Sequence, residues 1–307
     1  MPSSAADINA RLLREWPLPQ PRFDGDKEAR GHVLVIAGSR EMPGAAILAA
    51  TAALRAGAGK LSIATAASVA AVVGAAIPES RVAGLAETAG GGFTADSARR
   101  LADLAARADA VLIGPGMQDD DAAAELVHTL LPKLAGVPLI LDAGALCALC
   151  PPREAHLLEE PVDWARFRFD SQVLLTPHAG EMAHVSGAPR QQIEQDPHAA
   201  ASQAAARWNA VVALKGATTV LAAPGGKLWQ HQGGNVGLAI SGSGDVLAGI
   251  IAGLAARGAT LAQAAAWGVA LHASAGEQLS LRYGVLGYLA REIATEVPAL
   301  LRTLAPN

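Results

Sequence analysis

A glycine-rich stretch, Gly242-Ser243-Gly244-Asp245, precedes an apolar run that predicts a buried helix over 246–256. Glycines allow tight turns and a close approach of the backbone to a ligand. The free N–H groups of a first helical turn bind anions, so Gly242, Ser243 and Gly244 form a candidate anion-binding turn. Asp245 lies beside this turn, where a carboxylate either caps the helix or acts as a general base toward a substrate next to bound phosphates. The motif alone leaves both interpretations open.

Polar or glycine-rich clusters follow one predicted strand after another. The strands are short runs of apolar and β-branched residues, as in strands buried on both faces of a parallel sheet. Ligands bind at the carboxyl ends of the strands in an open parallel sheet, so we expect the clusters to meet in space. The clusters are Gly38-Ser39, Gly114-Pro115-Gly116, Asp142, His178 with Glu181, and Lys215-Gly216.

Each of these residues also has a purely structural interpretation. His178 could hydrogen-bond a neighbouring loop carbonyl, and Glu181 could cap the helix that follows it. Asp142 and Asn235 could form turns. Lys215 could be a solvated charge at the end of a strand. These alternatives stay open from the residues alone.

The residues after Lys215 favour a nucleotide-binding role, because small residues and threonines let backbone and hydroxyl groups approach a ligand. These residues are Gly216, Ala217, Thr218 and Thr219. His272 lies in an apolar predicted helix, so we expect a hydrogen-bonded core histidine there. Trp229 and Trp267 are expected to pack in the core and not to serve as stacking platforms for a ligand.

Composition limits the classes of protein that fit the chain. Its 307 residues carry a formal net charge of −4, and 51% of them are hydrophobic. A nucleic-acid-binding protein would need a basic face, which this mixed charge does not indicate. Cys147 and Cys150 form a C-x-x-C pair without a second cysteine pair to complete a zinc site, so ordinary thiols are expected. The absence of a secretory signal and of a membrane-length apolar run predicts a cytoplasmic protein.

Strand and helix patterns alternate along the chain, which predicts an α/β fold: a three-layer α/β/α sandwich around a mostly parallel sheet. Predicted strands span 32–37, 60–65, 81–85, 110–113, 138–141, 173–175 and 211–214, and 218–222 with 227–230 form a predicted hairpin. Predicted helices span 5–16, 44–55, 66–76, 94–108 with Thr94 as its cap, 122–134, 145–150, 199–208, 246–256, 261–279 and 288–304. No linker divides the chain, so residues 1–307 are interpreted as one domain with an N-terminal lead-in of about 25 residues.

An ordered series of motifs carries a resemblance to a known family. The chain resembles the ADP/ATP-dependent NAD(P)H-hydrate dehydratases, relatives of the YjeF C-terminal domain in the ribokinase-like superfamily. The motifs keep the family's order and extend from about Lys27 to Glu277. They are Val33-Leu34-Val35-Ile36-Ala37-Gly38-Ser39, Gly44-Ala45-Ala46, Arg55-Ala56-Gly57-Ala58-Gly59, Ile113-Gly114-Pro115-Gly116, Leu141-Asp142-Ala143, Leu174-Leu175-Thr176-Pro177-His178, Gly180-Glu181, Leu214-Lys215-Gly216-Ala217 and Gly242-Ser243-Gly244-Asp245-Val246-Leu247-Ala248-Gly249.

The resemblance implies a ribokinase-like fold and a repair reaction. In this family, ADP or ATP phosphorylates a hydroxyl group on the damaged nicotinamide ring of hydrated NADH or NADPH, and loss of phosphate restores the reduced dinucleotide. Asp245 would be the base that activates the hydroxyl. The N–H groups of Gly242, Ser243 and Gly244 would stabilise the transferring phosphoryl group.

The resemblance also implies binding roles and partners. The hydrate would contact Ala45, Gly116, His178 and Asp245. The AMP part of the nucleotide would contact Lys215, Gly216, Ala217, Thr218, Thr219 and Gly244. Mg²⁺ would help to neutralise the phosphates. The protein would act as a homotetramer on the S epimer of the hydrate, and it would depend on a separate NAD(P)H-hydrate epimerase because the epimerase domain of fused relatives is lacking here.

The chain departs from the family's pattern at two positions. Gly144 replaces the second aspartate of the family's Asp-Ala-Asp-Ala-Leu motif, which puts in doubt any metal or phosphate role there. Ala179 replaces the proline of His-Pro-Gly-Glu, an exchange that keeps the histidine and the glutamate.

Two other functions compete with the dehydratase. A ribokinase-like kinase of a small alcohol, such as hydroxyethylthiazole or hydroxymethylpyrimidine, would share Asp245 and its glycines. It would not need Thr176-Pro177-His178 or Lys215-Gly216-Ala217. A nucleotide-binding module that has lost catalysis would bind ATP without turnover, and the retained Asp245 argues against it.

Overall fold

The computed structural model describes residues 5–20, 26–150, 164 and 166–304. Within these ranges ten strands form one mixed sheet. The strands are β1 (Ala6–Asp7), β2 (His32–Ile36), β3 (Lys60–Ala66), β4 (Arg81–Leu85), β5 (Ala110–Ile113), β6 (Leu139–Leu141), β7 (Val173–Leu175), β8 (Val211–Leu214), β9 (Thr218–Ala222) and β10 (Leu228–Gln232).

Helices cover both faces of the sheet. The α-helices are α1 (Ala10–Glu15), α2 (Pro43–Arg55), α3 (Ala70–Ala76), α4 (Ser97–Ala105), α5 (Asp120–Leu130), α6 (Ala179–Ser186), α7 (Arg190–Gln195), α8 (Pro197–Trp208), α9 (Ser243–Ala256), α10 (Leu261–Tyr283) and α11 (Ala290–Leu304). Short 3₁₀ helices span Leu131–Lys133, Ala143–Leu149 and Val236–Leu238. Among the residues described, none of the helices combines the length and apolarity needed to cross a bilayer.

Along the sheet, the strands lie in the order β1-β10-β9-β8-β7-β6-β5-β2-β3-β4. Neighbouring strands run parallel except at β9, which pairs antiparallel with β8 and with β10. The predicted mostly parallel sheet and the predicted hairpin are therefore confirmed. The chain passes from β2 to β3 and β4 and returns to β5 on the other side of β2, so a crevice opens between the carboxyl ends of β2 and β5.

Side chains of the sheet alternate between two cores. In β2, Val33 and Val35 pack in one core with residues of α2, α9, α10 and α11. Leu34 and Ile36 pack in the other core with residues of α4, α5, α6 and α8. A strand that faces two cores needs apolar residues at every position, which is the sequence pattern of β2. The three-layer α/β/α sandwich is confirmed.

Helices α2 and α9 pack with their backbones in contact because glycines of one helix face alanines of the other. A Cβ atom at Gly249 would overlap the carbonyl oxygen of Ala49, and a Cβ atom at Gly253 would overlap that of Ala53. The two contacts are four residues apart in both helices and follow the same order, so the helices run parallel. We call this pairing the α2–α9 contact.

Three predicted helix starts are wrong. The helix predicted over 66–76 begins only at Ala70, because Ala66 is the last residue of β3. Ala6–Asp7 pairs in parallel with β10 instead of beginning a helix over 5–16. The helix begins after Asn9, whose side chain accepts two backbone hydrogen bonds from the first turn. Thr94 does not cap α4, because that helix begins after Asp96 and the buried Thr94 Oγ1 has no partner among the described residues. No helix or strand was predicted over 151–170, and most of that stretch lies outside the described residues.

The α2–α9 contact predicts that Gly249→Ala destabilises the protein. The added methyl group would meet a backbone carbonyl that cannot rotate away, so we expect the free energy of unfolding to fall by about 2 kcal/mol despite the better helix propensity of alanine. Urea denaturation measures this change. Gly225→Ala is the matched control, because a Cβ atom there meets no atom within 4 Å. An unchanged stability of Gly249→Ala would contradict the direct backbone contact.

Candidate active site

Three polar side chains meet at the carboxyl ends of β6, β7 and β8. The Thr176 hydroxyl donates a hydrogen bond to Asp142 Oδ1 at 2.6 Å, and Lys215 Nζ donates to the same oxygen at 3.0 Å. Asp142 and Thr176 are each only 1% exposed. The interpretation of Lys215 as a solvated charge is therefore wrong, and the clusters that follow these strands do meet in space.

His178 and Glu181 begin helix α6 as a capping box. The Nδ1 atom of His178 accepts hydrogen bonds from the N–H groups of Gly180 and Glu181, at 3.0 and 3.1 Å. In return, the N–H group of His178 donates to Glu181 Oε2 at 2.7 Å. The capping interpretation of Glu181 is confirmed, whereas the expected bond from His178 to a loop carbonyl is wrong. Because Nδ1 accepts, the proton of the neutral ring lies on Nε2, which is free to donate to a ligand.

Lys215 stands among carboxylates. Its Nζ atom lies 3.7 Å from Glu181 Oε2, in addition to its bond with Asp142. Burial alone lowers the pKa of Lys215, but the negative charges of Asp142 and Glu181 outweigh burial, so the pKa is raised. Lys215 therefore stays charged and cannot serve as a proton acceptor at neutral pH. We call Asp142, Glu181 and Lys215 the acid–lysine cluster.

Asp245 lies in the first turn of α9. The N-cap residue of this helix is Gly242, with φ of 86°, and no side chain forms a capping hydrogen bond. The capping interpretation of Asp245 is thus wrong, and within the described part of the chain its carboxylate accepts no hydrogen bond. Burial, together with the charge of Asp142, raises the pKa of Asp245 to about 7, whereas the charge of Lys215 opposes the shift.

Lys215 connects the acid–lysine cluster to helix α9. A Cβ atom placed at Gly244 would lie 3.5 Å from Lys215 Nζ. The ammonium group therefore stands beside the first turn of α9, where Ser243 and Gly244 begin the helix. The N–H groups of Gly242 and Gly244 and the lysine charge lie at this turn, which favours an anion there, whereas the N–H group of Ser243 already donates to the carbonyl oxygen of Ile240 at 3.2 Å.

Ala45 and Gly116 lie together on the other side of α9. Gly116 has φ of 65°, and a Cβ atom there would lie 3.0 Å from the carbonyl oxygen of Met42 and would overlap the Ala45 methyl group. Because the α2–α9 contact joins Ala49 to Gly249, one turn back along both helices brings Ala45 level with Asp245. Small residues thus leave space next to the carboxylate.

A cavity of about 740 Å³ opens beside this turn. Part of its wall is apolar and part carries the residues predicted to bind a nucleotide. The wall includes Lys215, Gly216, Ala217, Thr219, Ser243, Gly244, Val236, Leu238, Ile240, Leu247, Val269 and His272. A second cavity of about 750 Å³ shares His178 and Lys215-Gly216-Ala217 with the first and is lined by Thr218 and by residues of α7. Cavities of this size hold ligands as large as nucleotides.

Two polar residues near these cavities have roles that the sequence did not predict. His272 was expected in the core, but it lines the first cavity, and its Nε2 atom lies 3.0 Å from Ser243 Oγ. Burial lowers the pKa of His272 to about 4, so the ring is neutral. Thr176 holds Asp142 in place through its hydrogen bond to Oδ1. Its position directly before Pro177-His178 is the sequence feature from which this role could have been predicted. Asn235 forms the expected turn, because its Oδ1 atom accepts from the N–H group of Gly237 at 2.9 Å.

The structure explains the glycine at position 144. A Cβ atom there would lie 2.8 Å from the carbonyl oxygen of Met117, so this backbone has no room for a side chain.

The C-x-x-C pair, Cys147 and Cys150, consists of half-buried free cysteines. Burial, together with the charge of the neighbouring Asp120, raises the pKa of Cys147 to about 12. Cys147 is therefore a protonated thiol at neutral pH, consistent with the expected ordinary thiols.

The mostly parallel sheet between two helical layers, with a glycine turn and a carboxylate at the start of α9, defines an α/β protein of the ribokinase-like class. A family model described as NAD(P)H-hydrate dehydratase matches residues 33–299. The chain belongs to the NAD(P)H-hydrate dehydratase family.

Individual relatives support the same assignment. An ADP-dependent (S)-NAD(P)H-hydrate dehydratase of Xanthomonas campestris pv. campestris is 47% identical over 97% of this chain and 96% of its own length. A bifunctional NAD(P)H-hydrate repair enzyme of Moorella thermoacetica is 38% identical over 97% of this chain, which spans only 55% of that protein. An ADP/ATP-dependent NAD(P)H-hydrate dehydratase of Bacillus subtilis, co-crystallised with ATP/Mg²⁺, superimposes with a TM-score of 0.81 at 29% identity, over 98% of this chain and 99% of that one. These similarities do not favour a kinase of a small alcohol.

The acid–lysine cluster predicts that Lys215→Met is strongly destabilising. Removing the ammonium group leaves the buried Asp142 charge without its partner, so the free energy of unfolding should fall by about 3 kcal/mol. Chemical denaturation at neutral pH measures the loss. Lys60→Met, which breaks an exposed pair with Glu28, is the control and should cost less than about 1 kcal/mol.

A double variant tests whether this loss comes from the pair. Lys215→Met combined with Asp142→Asn should be more stable than the sum of the two single losses implies, because no unpaired charge remains. Strict additivity would contradict a direct interaction between the two side chains.

The raised pKa of Asp245 predicts that Asp245→Asn stabilises the protein in alkaline solution. The folded carboxyl titrates at about 7 and its ordinary value is 3.8, so the folded state loses stability as the pH rises through that window. The melting temperature of the variant should therefore exceed that of the unchanged protein clearly at pH 8 and much less at pH 5. Glu15→Gln, at a side chain that is 62% exposed, is the control and should show no such trend. An equal difference at both pH values would contradict the half-buried, unpaired state of Asp245.

Proposed function

We propose that the protein uses ADP or ATP to dehydrate the S epimer of hydrated NADH or NADPH, which restores the reduced dinucleotide. The observation that carries this proposal is Asp245: a half-buried carboxylate without a hydrogen-bond partner among the described residues, at the N-terminus of a helix that opens onto a cavity of nucleotide size. The substrates are inferred from the family to which the chain belongs, and the roles of the individual residues are inferred from the chemistry of the site.

Asp245 is the proposed general base. With a pKa raised to about 7 by burial, a substantial fraction of its carboxyl groups is ionised at neutral pH. Such a carboxylate accepts a proton more readily than an ordinary aspartate. The other carboxylates already accept hydrogen bonds, Asp142 from Thr176 and Lys215, and Glu181 from the His178 backbone. Asp245 would take the proton of the ring hydroxyl while the hydroxyl oxygen attacks the terminal phosphorus of the nucleotide.

The first turn of α9 would stabilise the phosphoryl group during its transfer. No side chain caps this turn, the N–H group of Ser243 donates to the carbonyl oxygen of Ile240 at 3.2 Å, and the Lys215 ammonium lies beside Gly244, so the proposed backbone donors are the N–H groups of Gly242 and Gly244. Preorganised donors of this kind stabilise the charge that develops on the phosphoryl oxygens. The AMP part would extend along Lys215, Gly216, Ala217, Thr218 and Thr219.

The hydrate would lie on the side of Ala45 and Gly116. Their small size leaves the ring hydroxyl access to Asp245, and His178 Nε2 is available to donate a hydrogen bond. After phosphorylation, the electron pair of the ring nitrogen expels phosphate from the carbon that carried the hydroxyl. Loss of a proton from the adjacent carbon then restores the ring double bond.

Mg²⁺ is the metal proposed to accompany the nucleotide. Among the described residues, no group of three or more His, Cys, Asp or Glu side chains could hold a metal ion. Mg²⁺ is commonly held by substrate phosphates, water and one or two carboxylates, so it does not need a dedicated cluster of protein ligands. When bound, the ion would neutralise charge on the phosphate oxygens.

The organisation of the protein in the cell is proposed from the family resemblance. We infer a cytoplasmic homotetramer that acts beside a separate NAD(P)H-hydrate epimerase, which would supply the S epimer. Exposed apolar side chains near the junction of α10 and α11, among them Leu281 and Leu286, support self-association because such surfaces are commonly buried by partners. The sheet, which includes β1 and extends to β10, supports one domain over 1–307.

The proposed reaction predicts that hydrated NADH regains its reduced-nicotinamide absorbance when protein, Mg²⁺ and ADP or ATP are all present. Asp245→Asn should lower kcat by about 10³-fold because the base is lost, and it should change the dissociation constant of the nucleotide less than about threefold. Stopped-flow absorbance and titration calorimetry measure the two quantities. Asp103→Asn, a change in α4 on the opposite face of the sheet, is the control.

The same experiment separates the alternatives. Equal losses of turnover and nucleotide binding in Asp245→Asn would make its role structural. No absorbance change with either nucleotide, in folded protein with verified substrate, would overturn the dehydratase proposal. Consumption of ATP with hydroxyethylthiazole or hydroxymethylpyrimidine would then favour the kinase.

A further inference from the structure

His272 of α10 contacts the first residue of the anion-binding turn. Its Nε2 atom lies 3.1 Å from the carbonyl oxygen of Ser243 and 3.0 Å from the hydroxyl oxygen of the same residue. Ser243 is buried, at 5% exposure, and both side chains line the cavity proposed to hold the nucleotide. The two residues lie 29 positions apart in the sequence, so the contact joins α9 to α10.

The two contacts together determine which nitrogen of His272 carries the proton. A carbonyl oxygen can only accept a hydrogen bond, so the contact with Ser243 O requires a proton on Nε2. The same N–H group is then shared between the carbonyl and the hydroxyl oxygen, as in other three-centre hydrogen bonds. The Ser243 hydroxyl acts as an acceptor toward His272, and its own proton stays available for another partner.

The direction of this hydrogen bond matters for an anion in the cavity. If Ser243 donated its proton to the imidazole, it would present only lone pairs to a phosphate group, and the two would repel. With the proton on Nε2, the hydroxyl becomes a donor that joins the N–H groups of Gly242 and Gly244. Lys215, beside the same turn, adds a positive charge that favours an anion at this position.

We propose that His272 is a positioning residue that turns the Ser243 hydroxyl into a hydrogen-bond donor toward the transferring phosphoryl group. This inference rests on the proposed function, because it needs a nucleotide phosphate at the first turn of α9. His272 itself does not touch the phosphoryl group. It acts by fixing the hydroxyl orientation before the nucleotide binds, so that no reorganisation is needed during transfer.

The first test measures the tautomer of His272 in the unmodified protein. Nitrogen NMR of protein labelled with ¹⁵N-histidine distinguishes the two ring nitrogens, and the signal that disappears in His272→Gln identifies the residue among the eight histidines. We expect a neutral ring protonated on Nε2, both alone and with ADP and Mg²⁺. Protonation on Nδ1 would overturn the inference, and this measurement requires no enzyme activity.

The second test is a double-mutant cycle between Ser243 and His272. Ser243→Ala should lower kcat by about 10²-fold with little change in the KM for the nucleotide, because one transition-state donor is lost. His272→Leu should lower kcat by a comparable factor. The double variant should lie within about threefold of either single variant, because the second change removes nothing further.

A conservative variant separates positioning from a structural role. His272→Gln keeps an N–H group near the place of Nε2 and should recover at least about tenfold of the kcat lost in His272→Leu. Thermal melting shows whether each variant is folded. Multiplied losses in the double variant, or full activity of folded His272→Leu, would overturn the proposal.

The tautomer measurement also separates this inference from the proposed function. If the unmodified protein fails to convert the hydrate, the proposed reaction is wrong, and the ¹⁵N measurement of the His272 tautomer, which needs no turnover, still tests the inference. A neutral ring protonated on Nε2 would then support a Ser243 hydroxyl that His272 leaves free to donate. Protonation on Nδ1 would overturn it.

Discussion

The close approach of α2 and α9 is the constraint on which the site depends. Two glycines of α9, Gly249 and Gly253, let the helix backbones touch, and side chains at these positions would push the helices apart. The contact sets the register between the helices, which brings Ala45 level with Asp245. A wider spacing would move the carboxylate away from Gly116 as well. Residues deep in a helix interface, remote from any ligand, therefore determine where the candidate base stands.

The charges of the site are distributed unevenly. Three carboxylates, Asp142, Glu181 and Asp245, surround one ammonium group, but Lys215 hydrogen-bonds only Asp142 and lies 3.7 Å from Glu181. Asp245 is half-buried and forms no hydrogen bond with Lys215, and burial together with the charge of Asp142 raises its pKa to about 7. Asp142 thus acts in two ways: it holds Lys215 beside α9, and its negative charge makes Asp245 a better proton acceptor. Changing Asp142 would alter both the lysine position and the basicity of Asp245.

The sequence predicted the sheet well, because β5, β6 and β7 are apolar at every position and are followed directly by glycine or a polar residue. It also predicted that the polar clusters meet, since parallel strands share one carboxyl edge. It could not predict β1, because a two-residue strand has no periodicity and exists only through its pairing with β10. It could not assign His272 to a cavity either, because an apolar helix pattern does not reveal that one position faces a gap next to Ser243. It left open whether Lys215 is a solvated charge and whether Asp245 caps a helix, and only the structure could exclude these alternatives, since burial and partners depend on tertiary contacts.

Helix geometry explains how one turn can serve both proton transfer and phosphoryl transfer. An α-helix rises 1.5 Å per residue, so Asp245 lies about 4.5 Å along the axis from Gly242. Base and anion donors are thus held on the same rigid element, and their separation does not depend on a loop. A phosphoryl group at the N–H groups of Gly242 and Gly244 would place an attacking oxygen within reach of the Asp245 carboxylate. The helix fixes the direction of its backbone N–H groups but not that of the Ser243 hydroxyl, which can rotate. His272 of the neighbouring helix α10 orients this hydroxyl from outside α9.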